Sequence, residues 1–200
     1  ILEQLNDNHL SCFHIACDVN PDAVKVLLHN YPSLVDQVTQ TQETPLHIIA
    51  RKNNVEIAKL LTNAKPSLLY KLDSLNRTPL LSATNFFAIE TALFFLKYNL
   101  TLDDKEKLDL GQIGGNGYSA LQSLVSAILV DEEREEIYFE LIDEFLRQGA
   151  SINECAKDTK LTPLTLAVIN NNEKLGLYLL SNKASVDAKN LFEDTALHYA

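Results

Sequence analysis

Thr44-Pro45-Leu46-His47-Ile48-Ile49-Ala50 reads as the start of a short helix. The Thr44 hydroxyl can accept a backbone N–H of the first turn, which makes it a good N-cap. Pro45 then occupies the first helical position, where its missing N–H would have had no intrahelical partner. Leu46, Ile49 and Ala50 fall at helical spacing and give the segment one apolar face. A second helical run follows, with Ile57, Leu60 and Leu61 on one side, and Pro66 lies just past it and helps to stop it.

The phrase recurs. Thr78-Pro79-Leu80 and Thr162-Pro163-Leu164 repeat it, Thr195-Ala196-Leu197-His198 varies it, and Ser11-Cys12-Phe13-His14 and Ser119-Ala120-Leu121-Gln122 are weaker copies. The copies start at 11, 44, 78, 119, 162 and 195, with successive gaps of 33, 34, 41, 43 and 33 residues. Pro32 stops another second helix, and Gly149 is placed to cap one at its C-terminus. Each unit is therefore helix, tight turn, helix and extended loop. One such pair cannot bury its apolar stripes alone, whereas stacked neighbours share a continuous core.

These units resemble the ankyrin repeat. The recurring phrase is similar to the signature T-P-L-H-x-A, and the shortest gaps equal the ankyrin period. Leu146-Arg-Gln-Gly149-Ala150-Ser-Ile-Asn153 and Leu180-Ser-Asn-Lys-Ala184-Ser-Val-Asp187 look like the family's passage from second helix to next loop. The resemblance runs from about Asn6 to Ala200, as five complete repeats and the start of a sixth. It implies an all-α solenoid of stacked helix-turn-helix units with β-type hairpin loops. The expected array is a single one over 1–200, with repeats near 6–38, 39–72, 73–113, 114–156, 157–189 and a truncated 190–200.

The repeats are degenerate. Where the family places a loop glycine, His9, Gln42, Asn76, Lys160 and Glu193 stand, and only Gly117 fits. Repeat four is long: Ser119 to Gly149 spans 30 positions, against 21 from Thr162 to Lys183. The nine extra residues fall near Ser126 to Glu135. Leu121, Leu124, Val125, Ile128 and Leu129 keep helical spacing, so the first helix is expected to run on by a turn. The link from Asn99 to Asn116, with Asp103 to Lys107 and then Gly111, Gly114, Gly115 and Gly117, reads as a polar turn and a flexible loop. Neither Gly-Lys-Ser/Thr nor GxGxxG accompanies those glycines, which argues against a phosphate loop.

Composition narrows the function. With 17 basic and 27 acidic residues the net charge is -10, which speaks against a nucleic-acid binder and against docking on anionic lipid. No apolar run approaches the roughly 18 residues of a membrane span. Cys12, Cys17 and Cys155 are too few and too odd in number for a disulfide framework, which points to a reducing, cytoplasmic setting. The chain lacks Met and stops at Ala200 inside a helical pattern, as a piece of a longer protein would.

Catalytic and metal motifs are absent. There is no HExxH, CxxC or G-x-S-x-G, and no cofactor is implied. The resemblance gives His14, His47 and His198 a structural role, linking neighbouring loops. Cys12 replaces the helix-opening proline and Cys17 a buried alanine, so His14 between them does not make a thiol nucleophile.

The resemblance also implies a concave surface, made of loop tips and the outer face of the first helices, that binds another protein. Phe86 and Phe87, at the end of a first helix, and Leu75, Tyr118, Leu161, Leu191 and Phe192, in loops, are its candidate apolar contacts. The alternative is that several tuck against the next repeat. Glu43, Arg51, Lys52 and Arg77 share that surface as a polar rim. Asp131, Glu132, Glu133 and Glu136 are either a solvated helix start or an acidic knob for a basic patch on the partner. The expected function is protein recognition by a monomer. The alternative is the targeting arm of a larger enzyme or of a bacterial effector, secreted into a host cytosol, with its catalytic region outside this segment.

Overall fold

A computed structural model describes residues 11–103, 107–127 and 132–200. By packing, the chain divides into two compact units, Ile1–Leu108 and Asp109–Ala200. The fold is all-α.

In the first unit the helices come in pairs. They are α1 (Cys12–Val19) with α2 (Pro21–Asn30), α3 (Pro45–Arg51) with α4 (Val55–Ala64), and α5 (Pro79–Asn85) with α6 (Ile89–Asn99). First helices stack on first helices, α1 on α3 on α5, and second helices on second, α2 on α4 on α6. Leu46, Ile49, Ala50, Ile57 and Leu61 are fully buried, as their spacing requires, while Leu60 is half-buried. Pro32 and Pro66 each open a short 3₁₀ turn, Pro32–Asp36 and Pro66–Tyr70, whose leucines (Leu34, Leu68 and Leu69) return to the core.

The second unit holds α7 (Ala120–Ser126), α8 (Glu135–Arg147), α9 (Pro163–Ile169) and α10 (Glu173–Ser181). α7 packs on α9 and α9 on α10. α8 meets α10 through the Phe139 and Tyr178 rings, 4.6 Å apart, and through Lys174 and Glu135 at 2.7 Å. The expected extra turn of α7 is absent: the helix ends at Ser126, and Ala127 is extended (ψ 138°). The Ser126 hydroxyl donates to the Ser123 carbonyl, using an acceptor of that last turn. Ile128 and Leu129, on which the longer helix rested, lie outside the described residues, as do His9, Asp131 and 104–106. The sixth phrase gives only a 3₁₀ turn, Ala196–His198, rather than an α-helical start.

The first five of the recurring phrases each start an α-helix as read. Ser11, Thr44, Thr78, Ser119 and Thr162 are extended N-caps whose hydroxyls accept the backbone N–H three residues on. Such a cap contributes about 1 kcal/mol. The hairpins between repeats close alike. Gln42, Asn76, Gly117, Lys160 and Glu193 all have positive φ, between 57° and 79°. Four of these five therefore hold a side chain where glycine is the unstrained choice. The loop expected to be flexible is such a hairpin: Gly114 donates to the Tyr118 carbonyl (3.0 Å) and Gly117 to the Gly114 carbonyl (2.9 Å).

Candidate protein-interaction surface

The surface starts from the histidine of the second phrase. The Thr44 backbone N–H donates to His47 Nδ1 (3.2 Å). Nδ1 is thus the acceptor, the proton sits on Nε2, and Nε2 donates to the Arg77 carbonyl of the next hairpin (2.9 Å). Burial lowers the His47 pKa below its ordinary 6.5 and keeps the ring neutral. Gln122 repeats the device with an amide: its Oε1 accepts from the Ser119 N–H (3.0 Å) and its Nε2 donates to the Glu154 carbonyl (2.7 Å). His14 makes the same contact to its cap, Ser11 (2.8 Å). Its Nε2 lies toward the Glu43 and Gln37 carbonyls without a hydrogen bond of normal geometry, and burial lowers its pKa too.

With its carbonyl fixed by His47, Arg77 closes a tight hairpin. Asp73 Oδ1 accepts the N–H groups of Leu75 and Arg77, both at 2.9 Å. Its Oδ2 accepts from both Arg77 Nε (2.7 Å) and Nη2 (2.6 Å), charge-assisted bonds that converge on one oxygen. Burial opposes ionisation of Asp73, but these Arg77 bonds outweigh it and hold the carboxyl below its ordinary value. Arg77 Nη2 also reaches Glu43 Oε1 at 3.6 Å, and Arg51 Nη1 pairs with the same oxygen. Thr41 donates to Glu43 Oε2 (3.1 Å). Glu43 is only 8% exposed, so its carboxylate faces these partners and orients the two arginines.

Arg51 in turn stands over the Phe86 ring, 6.0 Å from its centroid. Phe86 is 55% exposed and Leu75, on the Asp73 hairpin, 53%. The structure thus brings Glu43, Arg51, Arg77 and Phe86 into one contact chain, with Leu75 beside it through Asp73 and exposed Lys52 next in sequence to Arg51.

Phe87 differs from its neighbour. It is half-buried with φ 55°, in the left-handed position that follows the helix. Its N–H donates to the Thr84 carbonyl (3.2 Å), and that of Ala88 to the Ala83 carbonyl (2.8 Å), a Schellman turn with a phenylalanine where glycine or asparagine is usual. Asn53 and Asn171 hold the matching places after α3 and α9. Asn53 also caps a neighbour's helix: its Oδ1 accepts the Thr91 N–H at 3.0 Å, where Ala88, the N-cap of α6, makes no side-chain cap hydrogen bond.

In the second unit the candidates ride on successive hairpins. Tyr118 and Leu161 are half-buried beside Gly117 and Lys160, while Leu191 and Phe192 are 59% and 80% exposed at the Asn190–Asp194 tip. Adjacent loops are tied there by Lys157 N–H to the Gly117 carbonyl (2.9 Å) and by Leu191 N–H to that of Thr159 (3.4 Å). Of the acidic set, Glu133 and Glu136 are exposed at the start of α8, and Asp131 and the side chain of Glu132 lie outside what is described. Asp73, Thr41 and Asn53 were not singled out by sequence. Their signal was Asp73 four residues before Arg77 in a turn, and an asparagine in the glycine slot after α3.

Among the described residues no three His, Cys, Asp or Glu side chains converge as metal ligands, and no helix is long and apolar enough to cross a membrane. No disulfide links Cys12, Cys17 and Cys155.

A family model described as ankyrin repeats (3 copies) matches residues 7–106, and one described as ankyrin repeat matches 159–191. No curated protein matches in sequence. The chain is similar in structure to the ankyrin repeat domain of Bcl-3, a member of the IkappaB family (TM-score 0.77, 24% identity, covering 97% of this chain and 81% of that one). It is similar to the ankyrin repeat protein EF0377 (TM-score 0.74, 23% identity, 94% and 89% covered). It also matches a chain in the complex of the Bd0816 predatory endopeptidase from Bdellovibrio bacteriovorus with immunity protein Bd3460 (TM-score 0.74, 19% identity, 98% and 91% covered). At these identities the likeness is one of fold.

Proposed function

The chain belongs to the ankyrin-repeat family, and from that premise we propose that it is a protein-recognition module that binds where its first helices end and its hairpins turn. Ankyrin repeats serve generally as interaction modules, and a fold relative was solved within a complex of two proteins. The carrying observation is Phe86. A large aromatic left more than half exposed, beside an arginine oriented by a buried carboxylate, is the composition of an interface anchor. It is tested by capturing binding proteins with the wild-type chain and with Phe86→Ala. Loss of capture at an unchanged melting temperature supports the reading, and full capture by the variant rejects it.

The start of α8 is proposed as a second contact. Residues 131–147 carry eight acidic side chains against two basic, so a partner that meets them presents a basic patch. We take the whole as a single repeat array acting as a monomer without a cofactor, in the reducing environment of the cytoplasm.

A further inference from the structure

Resting on the reading above, we infer that the partner segment seated at Phe86 is an acidic peptide, with an Asp or Glu carboxylate on Arg51 and an adjacent apolar side chain on the Phe86 ring. Three observations carry this. The first is local charge. Although the chain is acidic overall, residues 39–102 hold seven Lys and Arg against four Asp and Glu. Two of those four, Glu43 and Asp73, are buried among the arginines, and Glu56 faces Lys25 at 3.4 Å. The cation that stands at the Phe86 ring itself is Arg51.

The second observation is the donor arrangement. Glu43 takes only Nη1 of Arg51, and the Nε and Nη2 groups of that guanidinium donate to no described residue. The Nε–Nη2 edge is the fork that receives a carboxylate through two parallel hydrogen bonds. Glu43 holds the fork in place beforehand, so little side-chain entropy remains to be lost on binding. The third is the apolar shelf beside it, the Phe86 ring, more than half exposed and 6.0 Å from the Arg51 guanidinium. A lone anion would use the fork and leave the shelf bare, whereas an acidic residue beside an aliphatic or aromatic one covers both.

The test is a selection of random dodecapeptides displayed on phage against the immobilised 200-residue chain. Enriched peptides are expected to place Asp or Glu within two residues of a large apolar side chain. Synthetic copies should bind at least about tenfold more weakly to Arg51→Gln, and as synthetic amide analogues with Asn or Gln for the acid. Arg51→Lys, which keeps an ion pair for Glu43 but loses the fork, should weaken binding as well, and it guards against a folding defect in Arg51→Gln. Glu173→Gln, an exposed acid at the start of α10 outside both proposed contacts, should bind as wild type. Enrichment of basic or uncharged peptides, no enrichment, or acidic peptides indifferent to both Arg51 variants overturns the inference. Uncharged peptides that still require Phe86 reject the acidic ligand and leave the interaction surface standing. Peptides indifferent to Phe86→Ala as well reject both.

Discussion

His47 Nε2 donates to the carbonyl of Arg77 across 2.9 Å, so the histidine of one repeat holds the hairpin that carries the arginine of the next. The same imidazole secures the Thr44 cap through Nδ1. A proton on Nδ1 would set a donor against the Thr44 N–H and break this joint.

That joint gives a pH dependence with a definite sign. Burial lowers the folded-state pKa of His47, and of His14, below the ordinary 6.5. Above 6.5 both states are neutral and the full stability is present. As the pH falls below 6.5, the unfolded chain takes up protons that the folded chain refuses, and stability is lost until the folded pKa is reached. Urea midpoints at about pH 7.5 and about pH 5.5 should differ in the wild type and differ less in His47→Gln, because an amide spans the same gap at Gln122. An equal pH sensitivity in that variant would contradict the assignment.

The left-handed hairpin residues predict gains. A side chain at such φ costs roughly 1–2 kcal/mol, partly offset by the chain entropy that glycine gives up on folding. Lys160→Gly, at φ 57°, should raise stability by about 1 kcal/mol, and Asn76→Gly by less, because asparagine tolerates this region. Gly117→Ala should lower it: φ is 79°, and a Cβ there would stand 2.8 Å from Asp158 Oδ2. Thermal unfolding of the three variants gives the order.

Asn53→Ala should destabilise by about 2 kcal/mol, more than an exposed polar residue normally does. It removes the acceptor of the Thr91 N–H and places a β-carbon at φ 57° without the tolerance of asparagine. Asn53→Gly loses the same side-chain hydrogen bonds, to the Thr91 N–H and to Glu90, but relieves the positive φ, and should lie between the variant and the wild type.

Helix starts were legible because capping is local: Ser11, Thr44, Thr78, Ser119 and Thr162 act within three residues of themselves. What eluded the sequence is set across repeats. Glu43 reads as a surface charge until Arg51 and Arg77, eight and more residues away, close over it. Asn53 reads as a turn residue, yet it caps α6 nearly forty positions on. The stop of α7 was missed because Ile128 and Leu129 continue the apolar spacing, which reports what a helix could bury and not where the backbone leaves it. Phe86 and Phe87 look equivalent as a pair, and only the Schellman turn separates an exposed ring from a half-buried one.

That separation predicts opposite variants. Phe86→Ala should change stability by no more than about 0.5 kcal/mol, as an exposed substitution does. Phe87→Ala should cost more, since it loses packing and keeps the positive φ. Similar losses of melting temperature would place both rings in the core.

At the acidic start of α8, Glu133→Gln with Glu136→Gln should flatten the salt dependence of partner binding, because opposite charges that meet at an interface are screened as salt rises. An unchanged slope between about 50 and 300 mM salt would leave those residues as a solvated helix start.

The most direct test of the interaction surface is a photo-crosslinking residue placed at Phe86 and, separately, at Val26, which is 60% exposed on α2, a second helix that carries none of the proposed contact residues. The account predicts a protein adduct from position 86 and none from position 26. Adducts from position 26 alone, or equally from both, would contradict it.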